Sequence, residues 1–211
     1  MDTAHLMELR RTEAGYWWHV NKRRVARLLL DRYASRDDPL LEVGCGAGLL
    51  ASELCRDGWR VVAADVLPAA VAFARTRGVP EGAVMDAGAR WPFPDGSFGM
   101  VLMMDVLDHI EDDAGCLAEA RRVLKDGGRV VLSVPACPFL YSPWDRMLGH
   151  RRRYSRRRLR AAAADAGLEA VRTTAWNLIG LGPAMFARGW TRLFGSSRAH
   201  AEFPKVPRFA N

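Results

Sequence analysis

Short apolar runs alternate along this chain with longer stretches whose apolar residues recur at helical spacing. The opening segment predicts two short helices. In the second, Val25, Leu28, Leu29 and Tyr33 share one face, and Lys22, Arg23, Arg24, Arg27 and Arg32 make the polar complement. Leu40 to Val43 then predicts a strand that ends in glycines, followed by a helix over Leu49 to Arg56 closed at Asp57-Gly58. Val61 to Ala64 is a second strand ending at Asp65, and Pro68 to Arg77 a second helix. Strands are expected again at Ala83 to Met85, Phe98 to Met104 and Arg129 to Val134. The last is preceded by a helix over Gly115 to Leu124 that Asp126-Gly127-Gly128 ends. Ser155 is placed to cap a helix running through Ala166, with Gly167 as its stop, and Leu168 to Thr174 predicts a sixth strand. A helix from Leu178 to Phe194 and a proline-containing tail from Ala201 to Asn211 follow, without a seventh strand.

Strands separated by helices of this length predict an α/β fold: a doubly wound, mostly parallel, Rossmann-like sheet with helices on both faces. The expected organisation is an N-terminal helical cap at 1–36, a core at 37–175 with an insert at 136–160, and a C-terminal helix and tail at 176–211. Ligands of such sheets bind beyond the carboxyl ends of the strands, near the switch point. That places Gly44 to Gly48, Asp65, Asp86, Met104 and Asp105 around one crevice.

At 211 residues, 49% hydrophobic and 26% charged, the chain suits one ordered α/β domain. Its net charge of +7 is mostly arginine, densest between His150 and Arg160, which favours anionic partners. Cys45, Cys55, Cys116 and Cys137 form no CxxC pair and no metal-ligand spacing, so they are expected as reduced thiols of a cytoplasmic protein. The N-terminus lacks a signal-peptide pattern, and Ala175 to Ala187 is too short and broken to span a bilayer.

Glu42-Val-Gly-Cys-Gly-Ala-Gly48 joins the first strand to the first core helix. Glycines there let the backbone approach a ligand, and the helix start offers free N–H groups. The spacing is GxGxG with an acidic residue two before the first glycine, which is not the GxGxxG dinucleotide pattern. Asp65 ends the second strand about 20 residues on, where a carboxylate can hold both hydroxyls of a ribose. Val66 and Leu67 offer an apolar surface to an adenine, and Asp86 can accept from its amino group. The competing account is that Asp65 and Asp86 only cap the turns that follow. It requires independent coincidences at three strand ends.

The segments LLEVGCGAG, VVAADV, MDAGARWPFPDGSFGMVLMMDVLDHIEDD and EARRVLKDGGRVVLSVP fall in the order found in class I S-adenosylmethionine-dependent methyltransferases. From Leu41 to about Gly167 the chain resembles that family, specifically the methyltransferase type 11 group. The resemblance implies a seven-strand-type sheet, with the last strand missing here, and S-adenosylmethionine as cofactor with S-adenosylhomocysteine as product. It also implies that Glu42, Gly44, Cys45, Gly46 and Gly48 line the methionine side. Asp65 with Val66 would take the ribose and adenine, Asp86 and Ala87 the adenine, and Met103, Met104 and Asp105 the methionine end. Two departures stand out: Gly99 follows Phe98 where the family usually has Asp, and Leu107-Asp108-His109 replaces Leu-Glu-His.

Methyl transfer needs an acceptor held in line with the methyl, within roughly 3–3.5 Å, away from water. His109, just past the fourth strand, is a candidate base, or else a structural histidine. The block Tyr141 to Tyr154 follows the fifth strand, where the family commonly places substrate-covering elements, and a subgroup carries a similar Trp-Asp…Gly-His-x-Arg-Arg-Tyr signature. His150 and Tyr154 are therefore expected as catalytic groups beside His109, and Tyr141, Trp144 and Arg153 as acceptor contacts, while Arg156 to Arg160 are expected to be solvated. Tyr16 and Trp18 are expected in a cap over the cofactor mouth, with core packing of those rings the competing account.

The expected acceptor is a small or medium-sized organic molecule, anionic or lipid-linked by the tilt of the arginines and aromatics, methylated at O, N or C. No stable nucleic-acid partner and a monomer or homodimer are expected. An RNA or protein methyltransferase using the arginine patch, and a catalytically silent cofactor-binding module, are the alternatives. A nicotinamide oxidoreductase is more remote, because the glycine spacing is wrong and no Tyr-x-x-x-Lys pair follows. No metal is expected: Asp105, Asp108 and His109 form a set with ligand chemistry, but no second cluster supports it.

Overall fold

The computed structural model describes residues 3–176. Two helices open the chain, α1 (Thr3–Thr12) and α2 (Trp17–Tyr33). The alternation then runs β1 (Leu40–Val43), α3 (Leu49–Arg56), β2 (Val61–Asp65), α4 (Pro68–Thr76), β3 (Glu81–Val84), β4 (Phe98–Met104), α5 (Asp113–Val123) and β5 (Leu124–Ser133). Two helices follow, α6 (Pro143–Met147) and α7 (Arg156–Asp165). The five strands make one sheet in the order β3-β2-β1-β4-β5, and every pairing is parallel. This is the Rossmann-like arrangement with its switch point between β1 and β4.

A parallel sheet is covered on both faces, so its central strands are apolar throughout. Successive residues of β1 enter opposite cores. Leu40 joins Leu102, Leu54, Ala74 and Leu30 under the N-terminal helices, α3 and α4. Leu41 and Val43 join Val101, Met103, Leu117 and Tyr154 under α5 and α7.

Three expectations change. The buried stripe of α2 is His19, Ala26 and Leu30, and Leu28 lies exposed. Lys22 and Arg23 face inward with them because they find carboxylates there, at Asp105 and Glu53. The fifth strand begins at Leu124 rather than Arg129: Phe98 pairs with Leu124, and a register shift before Met100 absorbs Gly127 at φ +75°. Finally, Leu168 to Thr174 forms no strand. It pairs with no strand among the described residues, and although Leu168 packs on the second core, Val171 is 68% exposed, so burial does not reward the alternation along its length. The expected helix at Leu178 to Phe194, the tail, and nearly all of the 176–211 segment lie outside the described residues. Ser155 caps α7 as expected by accepting from the Arg158 amide at 3.1 Å, and Gly167 follows at φ +72°.

Gly99 has a local cause. A Cβ at this position would lie 2.4 Å from Cβ of Asp38, whose carboxylate pairs with Lys125.

Candidate functional site

The glycine loop after β1 is built by backbone geometry. Gly44, Gly46 and Gly48 all adopt positive φ, which other residues reach only with strain. The amides of Gly44 and Cys45 donate to the Ala64 carbonyl, tying the loop to the end of β2. Side chains are excluded by close neighbours: a Cβ at Gly44 would meet Val106 at 2.4 Å, and one at Gly48 the Ala74 backbone at 2.5 Å. Beside the loop, Glu42 is buried and its Oε2 has no hydrogen-bond partner. Burial raises its carboxyl to about 8, opposed by the charge of Lys22.

Asp65 closes β2 with both oxygens engaged. Oδ2 accepts from the Gly46 amide and Oδ1 from the Leu67 amide, each at 3.0 Å. Burial nonetheless pushes its carboxyl above the usual range. Val66 beside it is 54% exposed, an open apolar surface at the strand end. Asp86 is exposed and accepts from the Gly88 amide, while Ala87 is buried behind it. At the end of β4, Met103 is fully buried in the core and Met104 nearly so. Asp105 has a positive φ of 60° and accepts from Ser133 Oγ at 2.6 Å and Lys22 Nζ at 3.2 Å. These bonds hold it ionised: burial opposes the charge, and Lys22 and Ser133 outweigh it. The helical cap thus reaches the crevice. Leu9 stands over Gly46, Glu13 pairs with Arg77, and Trp18 packs on Trp176 with ring centroids 4.6 Å apart. Tyr16 packs on Trp17 and His19 rather than standing alone.

A second cluster lies past β4. An open cavity of about 480 Å³ is lined by His109, Tyr141, Arg146, Gly149, His150 and Arg151. His109 and His150 meet edge to face with centroids 4.9 Å apart. Asp108 sits beneath them with no exposed surface, its Oδ2 3.4 Å from His150 Nε2 and 3.8 Å from His109 Nε2. Burial and the neighbouring imidazole lower His109 to about 4.

The Trp-Asp…His-x-Arg-Arg-Tyr block divides between this cavity and the scaffold. Asp145 is fully buried. It accepts from the amide and hydroxyl of Ser142 at 2.9 and 2.8 Å and from Arg153 at 2.6 Å. Burial opposes its charge, but the bonds from His150, Arg153 and Ser142 keep it well below the usual carboxylate range. Arg153 therefore clamps Asp145, and also donates to the Ala136 carbonyl. Tyr154 is 2% exposed, packed in the second core, and its hydroxyl donates to Asp113 at 2.9 Å. Neither lines the cavity, nor does Trp144, whereas Tyr141 does and donates to the His150 carbonyl at 2.8 Å. Of the residues expected at the acceptor, the structure brings together His109, His150 and Tyr141. Lys22 and Ser133 are not among the expected site residues, and Asp108 figures in the sequence only in the set with Asp105 and His109. Lys22 looks like one more solvated base, and only its position one turn beyond Trp18 hints at an inward role.

A family model described as a methyltransferase domain matches residues 41–132, which run from β1 through the glycine loop, Asp65 and Asp105 to β5. Residues 41–132 thus match a methyltransferase domain. A ubiquinone biosynthesis O-methyltransferase of Xylella fastidiosa (strain M23) is 35% identical over 102 residues, 44% of this chain and 40% of that protein. A "Probable S-adenosylmethionine-dependent methyltransferase" of Mycobacterium tuberculosis (strain ATCC 25618 / H37Rv) is 35% identical over 120 residues, 56% of this chain and 43% of that protein. The chain spans less than half the length of these curated relatives. In fold, the YcgJ protein of Bacillus subtilis matches with a TM-score of 0.67 and 23% identity, over 85% of this chain and 86% of that one. Among the described residues no helix is long and apolar enough to cross a membrane.

Proposed function

We propose that this chain is a cytoplasmic S-adenosylmethionine-dependent methyltransferase that methylates an O, N or C nucleophile of a small or medium-sized organic acceptor. The observation that carries this reading is the conjunction at the β1–β2 edge. Three glycines at positive φ, with the Ala74 backbone crowding Gly48 and Val106 crowding Gly44, stand beside a buried Glu42 oxygen with no partner and the Asp65 carboxylate. Such a cradle, with an unfilled acceptor, fits an adenosyl and aminoacyl group. Bound there, the cofactor supplies a methyl group on a sulfonium.

In this reading Asp65 takes the ribose hydroxyls, exchanging its bond to the Gly46 amide for them. Val66 covers one face of the adenine, and Asp86 with Ala87 borders its edge. Glu42 and the loop amides meet the amino-acid end. Lys22 and Ser133 fix Asp105 at the crevice, so that an ordered, charged wall faces the reacting centre rather than a mobile one. The aromatic cap of Tyr16, Trp17 and Trp18 keeps water from that edge.

The cavity at His109 and His150 is the proposed acceptor site. Arg146 on its wall suits an anionic acceptor. The other arginines of this block are a poor nucleic-acid surface, since Arg151, Arg152, Arg153 and Arg158 are paired with Glu111, Asp113 and Asp145.

The test is thermal unfolding with S-adenosylhomocysteine, and with NAD(P)H in parallel, on wild type and Asp65→Ala. A ligand at 100 times its Kd adds about 2.7 kcal/mol. A rise with S-adenosylhomocysteine alone, lost in the variant, supports the reading; a nicotinamide-dependent rise, or none with either ligand, sinks it.

A further inference from the structure

The cluster beneath the second cavity has more acid than its neighbours use. Asp108 has no exposed surface, and neither of its oxygens accepts a hydrogen bond. A buried carboxylate in that state is costly unless a cation meets it. Among the described residues no arginine or lysine forms an ion pair with it; Lys22 and Asp105 act on it from farther off, and the groups in contact are two imidazoles.

Those imidazoles are oriented from behind. His109 Nδ1 lies 3.1 Å from the Gly149 carbonyl, which can only accept, so Nδ1 carries the proton and Nε2 presents its lone pair toward Asp108. His150 Nδ1 lies 3.4 Å from Asp145 Oδ1, and its Nε2 likewise points to Asp108. Asp145 is in turn fixed by Ser142 and Arg153. Each ring thus has an outer nitrogen turned to an oxygen, closely for His109 and at a looser 3.4 Å for His150, and an inner nitrogen turned to a shared centre. That is how metal-bound histidines are supported, through a carbonyl or carboxylate on the far nitrogen.

The spacing agrees. Ligand atoms of Asp108, His109 and His150 all lie within 4.8 Å of one another. Two donors bound at 2.0–2.2 Å to a tetrahedral ion stand about 3.4 Å apart, and the Asp108–His150 edge is 3.4 Å, with Asp108–His109 at 3.8 Å. Asp105, though near in sequence, is taken by Lys22 and Ser133.

We propose that Asp108, His109 and His150 bind one divalent first-row transition ion, with its open positions turned into the cavity lined by Tyr141, Arg146 and Arg151. Two imidazoles and one carboxylate select such an ion over Mg²⁺ or Ca²⁺, which prefer all-oxygen sites. The open positions hold water or an oxygen of whatever enters the cavity. Ion binding is read out without methyl transfer or cofactor, so its failure and that of the proposed function are distinguishable.

The test uses chelator-treated full chain titrated with Co²⁺ and Zn²⁺, following absorption, bound metal after dialysis and the melting temperature. Expected are one Co²⁺ per chain, a spectrum without thiolate charge transfer, and displacement by Zn²⁺. His150→Ala, His109→Ala and Asp108→Asn should each weaken binding roughly 100-fold or more, beyond the 10–100-fold that outer-shell changes cost. Asp108→Asn alters a buried group; the two histidine variants change partly exposed rings, 30% for His109 and 16% for His150, and carry the test if it misfolds. Absence of stoichiometric Co²⁺, unchanged affinity in either histidine variant, or a thiolate band assigning the ion to cysteine would each overturn the proposal.

Discussion

Lys22 Nζ lies 3.2 Å from Asp105 Oδ2, joining the helical cap to the end of β4 across 83 residues of chain. Ser133 at the end of β5 holds the other Asp105 oxygen at 2.6 Å. Three elements that share no sequence neighbourhood therefore meet on one carboxylate at the rim of the crevice. Both side chains are 21% exposed, so the pair is screened less than a surface ion pair and still reached by water. Lys22→Met should cost about 1–2 kcal/mol in urea unfolding, more than a surface pair and less than a fully buried one. A double-mutant cycle with Asp105→Asn should return most of that as coupling. Additive losses would show that the two residues act separately.

The glycine loop allows a cleaner separation of strain from crowding. Gly48 and Gly58 both have positive φ, +79° and +87°, but a Cβ at Gly48 would strike the Ala74 backbone at 2.5 Å while one at Gly58 meets nothing within 4 Å. Gly58→Ala should cost about 1 kcal/mol, the conformational penalty alone. Gly48→Ala should cost at least about 2 kcal/mol more, because helix α4 has to shift. Equal losses in chemical denaturation would mean that the loop can slide away from α4.

Glu42 gives the fold a pH dependence with a definite sign. Its carboxyl keeps its proton to about 8 in the folded chain and to about 4.5 when exposed. Between those values the folded state binds more protons, so this group's contribution is complete below pH 4.5 and is lost as pH rises toward 8. Glu42→Gln removes it. The melting temperature of the variant relative to wild type should climb by several degrees from pH 5 to pH 8, since about 1 kcal/mol moves a chain of this size by roughly 2–4 °C. Parallel curves across that range would refute the assignment.

Tyr154 separates a structural role from a catalytic one. Its hydroxyl donates to Asp113 from a site 2% exposed. Tyr154→Phe should lower stability by about 1–2 kcal/mol, the range for a buried hydrogen bond to a charged group, with S-adenosylhomocysteine affinity unchanged. Unaltered stability would argue that the hydroxyl serves chemistry instead.

What the sequence made legible is what local pattern controls. The β1 run, its glycines, the turn into α3 and the carboxylate closing β2 are each encoded within about ten residues, and each stands where the pattern puts it. The parallel sheet follows from the same alternation. The failures depend on partners far along the chain. Lys22 turns inward only because Asp105 waits 83 residues away, and that rotation leaves Leu28 outside. Leu168 to Thr174 has strand-like alternation, yet a strand also needs a neighbour, which composition cannot supply. Arg153 and Tyr154 look like an acceptor's contacts by residue type; Asp145 and Asp113, placed by folding, claim them first. His109 and His150 were named separately, and their meeting over Asp108 emerges only in three dimensions.

The contact between Gly99 and Asp38 makes these two positions tenants of a single volume. An aspartate at position 99 would need the space that Asp38 fills, and with it the ion pair to Lys125. Gly99→Asp alone should therefore be poorly tolerated, and Asp38→Gly should rescue it. An aspartate at 99 and the Asp38–Lys125 pair are thus alternatives, settled at the opening of β4, at the opposite end of that strand from Asp105.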